Sequence, residues 1–379
     1  MKMKKFLAMA LCLLTGVASV GCQAPVQEKD STVSLMGFES VRELLSIYVK
    51  NIGEIGLCKE EGMVTQGNAS MRISYMYDVK ETEYAKDMQI AMMPGNKYFS
   101  KQKYLDVEYL AMDVYNANES PYQMAVQVNA EELGGAIVLE TYELAPGWNE
   151  IYTYVDRAAF EFASNGSMSY YSLIFRGQKG ESPEFFVDNF RCYTTEEEYE
   201  KYAFDYEKEI WHDFSHRAET TILGVMGTPE SVFSKPKLSL NYDPKFIATG
   251  KSSLRADFFT KRDGSMDVTA FRTKNYFLPD FNNYLGEENW YIFFDVYNAY
   301  DYDITLQVIV ISDYNDESYG VSVTIPANSW SNPEECRIYL NDLEEAYTGV
   351  GVNAMTVSYF FKGITTAGSV YLDAVGIRK

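Results

Sequence analysis

The two histidines of the sequence, His212 and His216, lie four residues apart. This spacing can bring two imidazoles to one metal ion when the segment is helical. Asp213 and Phe214 instead indicate the opening of a strand, where the two side chains do not converge on an ion. So few histidines also leave little room for acid–base catalysis by imidazole.

Carboxylates are abundant, with 54 Asp and Glu residues against 33 Lys and Arg. Acidic pairs are unavoidable at this frequency, so they do not by themselves indicate a glycosidase. The sequence contains no nucleophile elbow, helical zinc motif, phosphate-binding loop or dinucleotide fingerprint. The net charge of −21 argues against a basic surface of the kind that binds nucleic acid. We therefore predict a protein that is not an enzyme and does not bind nucleic acid.

Residues 1–22 have the layout of a secretory signal. Lys2, Lys4 and Lys5 form a positively charged N-terminal region. The apolar stretch at 6–17 that follows is too short to span a bilayer as a helix. The small residues before Cys22 resemble a bacterial lipobox, in which the cysteine is lipidated, although Ser19 replaces the usual aliphatic residue. Ordinary signal cleavage beside a chance cysteine is the alternative. We expect an extracytoplasmic body at the cell surface, anchored to the membrane through Cys22 and a flexible tether at 23–33.

An internal repeat organises the rest of the chain. The pentapeptide at 113–117 returns unchanged at 295–299. Six further landmarks recur in the same order in both halves of the chain. With the first-half position given before its second-half counterpart, they are Phe38 and Phe214, 67–72 and 250–255, 126–128 and 306–308, Trp148 and Trp330, 175–177 and 361–363, and 186–188 and 371–373. The repeat predicts two copies of one domain at 34–193 and 210–379. An acidic linker at 194–209, with a helix-capping pattern at Thr194 and Glu197, joins them.

Each copy consists of short aromatic and β-branched segments separated by turn residues. Apolar and polar residues alternate at 123–128 and again at 304–310, as they do in half-buried strands. Only residues 41–52 place apolar side chains at helical spacing. Strands without intervening helices predict an all-β protein of two tandem antiparallel β-sandwiches.

The motifs follow the same order in both copies. A Phe-containing opening precedes a Gly-x-x-Ser-x-Arg segment, a strand ending in DVYN, a Gln-containing strand, a Trp after a turn and a closing strand with aromatic-x-Asp. This order resembles the galactose-binding-domain-like β-jelly-roll of many carbohydrate-binding modules. The resemblance implies non-catalytic binding of polysaccharide or glycoconjugate. The alternative is a structural or protein-interaction lipoprotein, an adhesin-like unit or spacer without a sugar site, because fold does not dictate function.

The resemblance also implies a structural Ca²⁺ between an acidic residue of the opening motif and the Asp of the closing strand. The matching residues are Glu39 and Asp188 in the first copy. In the second copy they are Ser215 and Asp373, so the opening carboxylate is missing unless Asp213 replaces it. The alternative is that the closing Asp residues only accept backbone hydrogen bonds at a strand end.

Strand alternation selects candidates for sugar contact. If the apolar members of each strand face the core, then rings, amides, a carboxylate and a cation are predicted to share one outer sheet face. Pyranose rings stack on aromatic rings, and their hydroxyls need polar partners. The predicted ligand-binding residues are Tyr109, Asp113, Tyr115, Gln127, Tyr170, Arg176, Tyr291, Asp295, Tyr297, Gln307, Phe360 and Lys362. The alternative is that a one-sided sheet has a polar outer face in any case.

The remaining cysteines and the repeated tryptophans are predicted to be structural. Cys58, Cys192 and Cys336 show no metal-binding spacing, and we expect buried single thiols, with a Cys58–Cys192 disulfide as the alternative. Trp148 and Trp330 occupy the place of a packing Trp in the modules that the chain resembles.

Overall fold

The structure is a computed structural model. It describes residues 32–74, 86–92, 106–130, 135–155, 157, 170–177, 182–195, 202–273, 278, 281, 284, 289–311, 318–346 and 356–379. The predicted signal with Cys22, most of the tether, and linker residues 196–201 lie outside the described residues. No helix in the described ranges is long and apolar enough to cross a membrane.

The first half of the chain forms two antiparallel sheets. Its strands are β1 (Thr32–Met36), β2 (Ile47–Lys50), β3 (Glu54–Cys58), β4 (Ser70–Ser74), β5 (Met88–Met92), β6 (Val107–Asn116), β7 (Tyr122–Ala130), β8 (Gly135–Leu144), β9 (Gly147–Tyr154), β10 (Tyr170–Phe175) and β11 (Glu184–Thr194). Sheet A has the order β3-β4-β11-β6-β9, with β1 also paired to β11. Sheet B has the order β2-β5-β10-β7-β8.

The second half repeats this arrangement. Its strands are β12 (Ile210–His212), β13 (Leu223–Val225), β14 (Lys237–Asn241), β15 (Ser253–Phe258), β16 (Ala270–Thr273), β17 (Tyr291–Asn298), β18 (Ile304–Ile311), β19 (Ser318–Ile325), β20 (Ser329–Trp330), β21 (Arg337–Tyr339), β22 (Thr356–Lys362) and β23 (Gly368–Arg378). Sheet C has the order β14-β15-β23-β17-β20, with β12 on β23 and β21 on β17. Sheet D has the order β13-β16-β22-β18-β19. Among the described strands, none of one half pairs with a strand of the other.

Helical segments in the described residues are short. They include α1 (Val41–Leu44), α2 (Ala218–Thr221), α3 (Leu340–Ala346) and a 3-10 turn at Pro244–Phe246. The helical spacing at 41–52 therefore produces one turn of helix, after which the chain enters β2. Residues 202–209 contain no helix, so the described part of the predicted linker helix is not helical.

Each half has its own apolar core between its two sheets, and the prediction of two antiparallel β-sandwiches is confirmed. Met124, Val126 and Val128 are fully buried, as their alternation predicted. Leu306 and Val308 are their counterparts in the second core. Burying each such side chain contributes about 1.5–3 kcal/mol. Cys58, Cys192 and Cys336 are buried and form no disulfide, as expected for small apolar side chains.

The repeated asparagines of the DVYN motif stabilise a turn. The Asn116 amide donates to the carbonyls of Ser120 and Leu144, each at 3.0 Å, and its oxygen accepts from the Asn118 amide. Asn298 makes the same contacts, donating to Tyr302 at 2.8 Å and to Ile325 at 3.1 Å and accepting from the Tyr300 amide. A fold requirement therefore accounts for the recurrence of this asparagine.

Candidate functional site

The ligand-binding residues predicted for the first sandwich lie on two opposite faces. Tyr109, Asp113 and Tyr115 belong to β6 in sheet A. Gln127 on β7, Tyr170 on β10 and Arg176 just after β10 belong to sheet B. Because the two sheets pack through their inner faces, their outer faces point in opposite directions. The prediction of a single shared face is therefore wrong.

The second sandwich divides in the same way. Tyr291, Asp295 and Tyr297 lie on β17 in sheet C. Gln307, Phe360 and Lys362 lie on β18 and β22, which are neighbours in sheet D. Alternation reveals whether a side chain points inward or outward, but it is identical in both sheets of a sandwich. It therefore does not reveal to which sheet a strand belongs.

On the outer face of sheet A, the carboxylate of Asp113 is hydrogen-bonded by other side chains of the protein. The Asp113 carboxylate accepts from Arg191 at 3.2 Å, from the Asn189 amide at 3.1 Å and from the Thr65 hydroxyl at 2.7 Å. Arg191 is buried and also bonds the carboxylate of Glu150. These contacts leave Asp113 engaged with the protein rather than with a ligand.

Aromatic packing occupies the same face in both sandwiches. Tyr115 meets Trp148 edge-on with ring centroids 5.3 Å apart, and the Trp148 indole donates to the Gly62 carbonyl at 2.9 Å. In sheet C, Tyr297 meets Trp330 at 5.4 Å. Both tryptophans therefore pack against the sheet, as predicted. Burial raises the pKa of Asp295, the carboxyl on the same strand as Tyr297.

Sheet D presents a different surface. The partly exposed ring of Phe360 lies directly across from Gln307, and Lys362 lies across from Thr305. Ser322 continues the row beyond Gln307 and is exposed. An aromatic ring, an amide, a cation and hydroxyls thus lie side by side on one outward face, the combination that stacks on and hydrogen-bonds a sugar ring.

The register of the sheets corrects one equivalence between the copies. Sequence similarity pairs Gln127 with Gln307. In the structure, Met124 lies opposite Phe175 and Leu306 lies opposite Phe361. Gln307 is therefore equivalent to Ala125, and the two glutamines occupy different rows of their sheets.

The corresponding face of sheet B is mostly closed. Ile174 and Ala125 point outward yet are 4% and 0% exposed, and Gln127 is 7% exposed. The Arg176 guanidinium lies 5.7 Å from the ring centroid of Phe233, a residue of the second sandwich. Tyr48 on the edge strand β2 is 60% exposed. Tyr48 was not among the predicted ligand-binding residues, because the apolar spacing at 41–52 is typical of a helix rather than of the strand that forms there.

Asp188 and Asp373 hold equivalent loops. Asp373 is fully buried and accepts from the backbone amides of Ala248 at 2.7 Å, Thr249 at 2.9 Å and Ala374 at 2.7 Å. Burial raises its pKa to about 6, and these three donors oppose the shift only in part. Burial also raises the pKa of Asp188.

The residues predicted to hold Ca²⁺ accept hydrogen bonds from backbone amides in this structure. One oxygen of Asp188 accepts from the Thr65 amide and hydroxyl and from the Gln66 amide, and the other accepts from the Asn189 amide. Glu39 instead accepts from the Asn68 amide. The described residues contain no group of three or more His, Cys, Asp or Glu that could bind a metal.

Both histidines contact the buried Glu219, His212 through its ring and His216 through its backbone amide. His212 is buried, with its Nδ1 3.8 Å from the Glu219 carboxylate. His216 accepts from the Ala218 amide through Nδ1 and stacks on Tyr202 with centroids 4.4 Å apart. β12 ends at His212, so the strand predicted to open at Asp213 and Phe214 lies immediately before these residues.

No protein-family model matches the chain, and no curated protein matches it. It is similar to the N-terminal CBM22-1-CBM22-2 tandem domain from Paenibacillus barcinonensis Xyn10C at 11% identity and a TM-score of 0.29, covering 93% of this chain and 99% of that one. It is similar to the family 11 carbohydrate-binding module from Clostridium thermocellum, in complex with a beta-1,3-1,4-mixed-linked tetrasaccharide, at 12% identity and a TM-score of 0.28. That similarity covers 43% of this chain and 95% of the module. An exo-beta-agarase structure aligns at 10% identity and a TM-score of 0.33, and the alignment covers 43% of this chain and 25% of the agarase. The assignment of two tandem β-sandwiches rests on the strands and sheets described above and not on these similarities.

Proposed function

We propose that the protein is a non-catalytic, membrane-anchored extracytoplasmic lipoprotein that binds polysaccharide or glycoconjugate through the outer face of sheet D. The observation that carries this proposal is the placement of Phe360 directly across from Gln307 on an outward face. The ring offers a platform for the CH groups of a pyranose, and the amide offers both a donor and an acceptor to neighbouring hydroxyls.

Cations extend this face at two positions. Lys362 and Arg272 are both exposed, and Arg272 lies across from Ser358 in the row beside Phe360. Cationic groups donate strongly to hydroxyls and to the carboxylates of uronic acids. The face therefore suits neutral glycans and those that carry acidic sugars.

The chemistry of this face supports binding without catalysis. A glycosidase needs two carboxyl groups about 5–10 Å apart across the scissile bond. The described strands of sheet D place no carboxylate on their outer face, whose side chains are aromatic, amide, hydroxyl, aliphatic or cationic. This composition favours a binding module over a hydrolase.

The membrane anchor is proposed from Cys22 and the residues around it. Expression of the full chain in bacteria fed radiolabelled palmitate tests it. Label should appear in the wild type and disappear in Cys22→Ser. Equal labelling of both chains, or labelling of neither, would overturn the anchor.

Glycan binding is tested by affinity electrophoresis of the purified protein through gels containing neutral and acidic polysaccharides, together with a glycan array. We expect retardation by at least one polysaccharide that is independent of added Ca²⁺. Lack of retention on every polysaccharide, with and without Ca²⁺, would reject the sugar site. It would favour the alternative of a structural or protein-interaction lipoprotein.

A further inference from the structure

Asp87 of the first sandwich is bonded by two residues of the second. Its Oδ1 accepts from the Arg262 guanidinium, and its Oδ2 accepts from the Ser231 hydroxyl at 2.5 Å. The Gly177 amide of the first sandwich completes the set by donating to Oδ1 at 3.0 Å. Asp87 and Arg262 are both largely buried. Asp87 precedes β5 and lies on the outward side of sheet B, because its neighbour Met88 points into the core.

The groups that meet Asp87 are held in place within the second sandwich. Asp267 accepts from the Ser234 hydroxyl at 2.5 Å and from the Glu230 amide at 2.8 Å. Ser234 in turn accepts from the Ser231 amide, and the Glu230 carboxylate accepts from the Arg262 amide. The loop therefore presents Ser231 and Arg262 in a fixed arrangement, which lowers the entropic cost of docking.

This contact lies on the part of sheet B that corresponds to the glycan face proposed for sheet D. The equivalents of Phe360, Gln307 and Lys362 are Ile174, Ala125 and Arg176, as the cross-strand register shows. Phe233 of the second sandwich lies over Arg176. Ile174 and Ala125 are thus buried where Phe360 and Gln307 are partly exposed, and Arg176 is half-buried where Lys362 is exposed.

Two further contacts join the sandwiches. Lys237 donates to Glu140 at 3.1 Å, and the Arg217 guanidinium lies 4.7 Å from the ring centroid of Tyr154. The Lys237 pair is exposed and contributes little by itself. Together with the Asp87 contact, these pairs hold the second sandwich at several separate points.

The asymmetry has a cause in the sequence. Thr269 bonds the backbone of Phe361 as a continuation of β16, so the residue before it, Val268, is equivalent to Asp87. The second sandwich therefore has an apolar side chain where the first has the carboxylate. Sheet D offers no acceptor at that position for an arginine of another sandwich.

We propose that the outer face of sheet B is an interdomain socket rather than a second glycan site. The second sandwich fills it, with Asp87 as the residue that secures it, so each chain presents one glycan-binding face of the sheet D type. The number of sites rests on the proposed function, whereas the socket does not.

Hydrogen exchange of the intact protein tests the socket without any glycan. Arg262→Ala and Phe233→Ala should each increase amide exchange at Gly177 at least tenfold, because this amide lies beyond β10 and is protected by its hydrogen bond to Asp87 at the contact. Arg255→Ala is the matched control, since it removes an arginine that is paired with Asp257 inside the second sandwich. Exchange in both socket variants that matches the control would overturn the proposal, and circular dichroism would confirm that each variant folds.

Binding stoichiometry gives an independent result. Isothermal titration with a short oligosaccharide from the retained polysaccharide should give one site per chain. Two sites of similar affinity would overturn the proposal even if the sugar site is correct. If no glycan is retained, the proposed function is wrong. The exchange experiment still tests the interdomain socket, because it does not require a glycan.

Discussion

Ile174 and Phe360 occupy the same position in two copies of one fold, but only Phe360 is open to solvent. Phe360 presents a ring beside the Gln307 amide, whereas Ile174 is closed off on a face that the second sandwich contacts through Phe233. Duplication of a domain thus does not imply duplication of its site. One copy retains an exposed polar and aromatic face, and the other uses the same face to bind its neighbour.

The amide of Gln307 should matter for binding and that of Gln127 should not. Gln307 lies beside Phe360, whereas Gln127 is 7% exposed in sheet B. Gln307→Ala should weaken binding of the retained polysaccharide about tenfold, as expected from the loss of about 1–2 kcal/mol of hydrogen bonding. Gln127→Ala serves as the matched control and should leave affinity unchanged. Equal losses in both variants would contradict the assignment of the site to sheet D.

The repeated asparagines should contribute to stability. Asn116→Ala and Asn298→Ala each remove a side-chain donor from a buried carbonyl, that of Leu144 or of Ile325, at a cost of about 1–3 kcal/mol. Asn332→Ala removes an exposed asparagine of the second sandwich and should cost much less. Urea unfolding measures all three variants. A change in glycan affinity at unchanged stability would instead indicate a role in ligand contact.

Asp373 should make the stability of the second sandwich depend on pH. Its folded-state pKa is raised by burial to about 6, above the ordinary value of 3.8, so the folded state holds the proton more tightly than the unfolded chain does. The stability that this provides is fully present below about pH 4 and is lost as the pH rises through 6. Between pH 4 and 7 the wild type should lose roughly 2–3 kcal/mol relative to Asp373→Asn. Urea unfolding curves at several pH values measure this difference. Parallel pH profiles for the two proteins would show that the carboxyl is not perturbed in this way.

Removal of calcium should have little effect. The oxygens of Asp188 already accept hydrogen bonds from Thr65, Gln66 and Asn189, which hold the loop without an ion. Thermal unfolding in EDTA and in millimolar Ca²⁺ should therefore give the same melting temperature. A rise of several degrees with Ca²⁺, lost in Asp188→Asn, would show that the ion displaces these donors.

The division into inward and outward side chains was predictable from the sequence. Met124, Val126 and Leu306 alternate with polar neighbours, and a half-buried strand has a period of two residues. The sheet to which each strand belongs was not predictable, because both sheets of a sandwich share that period. Tyr109 and Tyr170 consequently lie on opposite sides of the molecule.

The socket was also beyond the reach of local patterns. Asp87 is an ordinary acidic residue beside a strand, and its partner Arg262 lies 175 residues further along the chain. Only the three-dimensional arrangement brings this pair together. Comparison of the two copies contained one usable signal, because Val268 replaces the carboxylate at the equivalent position of the second copy.

The central claim is that sheet D carries the glycan site, and truncation of its ring tests it most directly. Affinity electrophoresis should compare Phe360→Ala with Tyr339→Ala, which removes a 39%-exposed ring from sheet C of the same sandwich. We predict that Phe360→Ala weakens retention by the bound polysaccharide at least tenfold, a change of about 1.4 kcal/mol, while Tyr339→Ala behaves as the wild type. Undiminished retention of a folded Phe360→Ala protein would contradict the account.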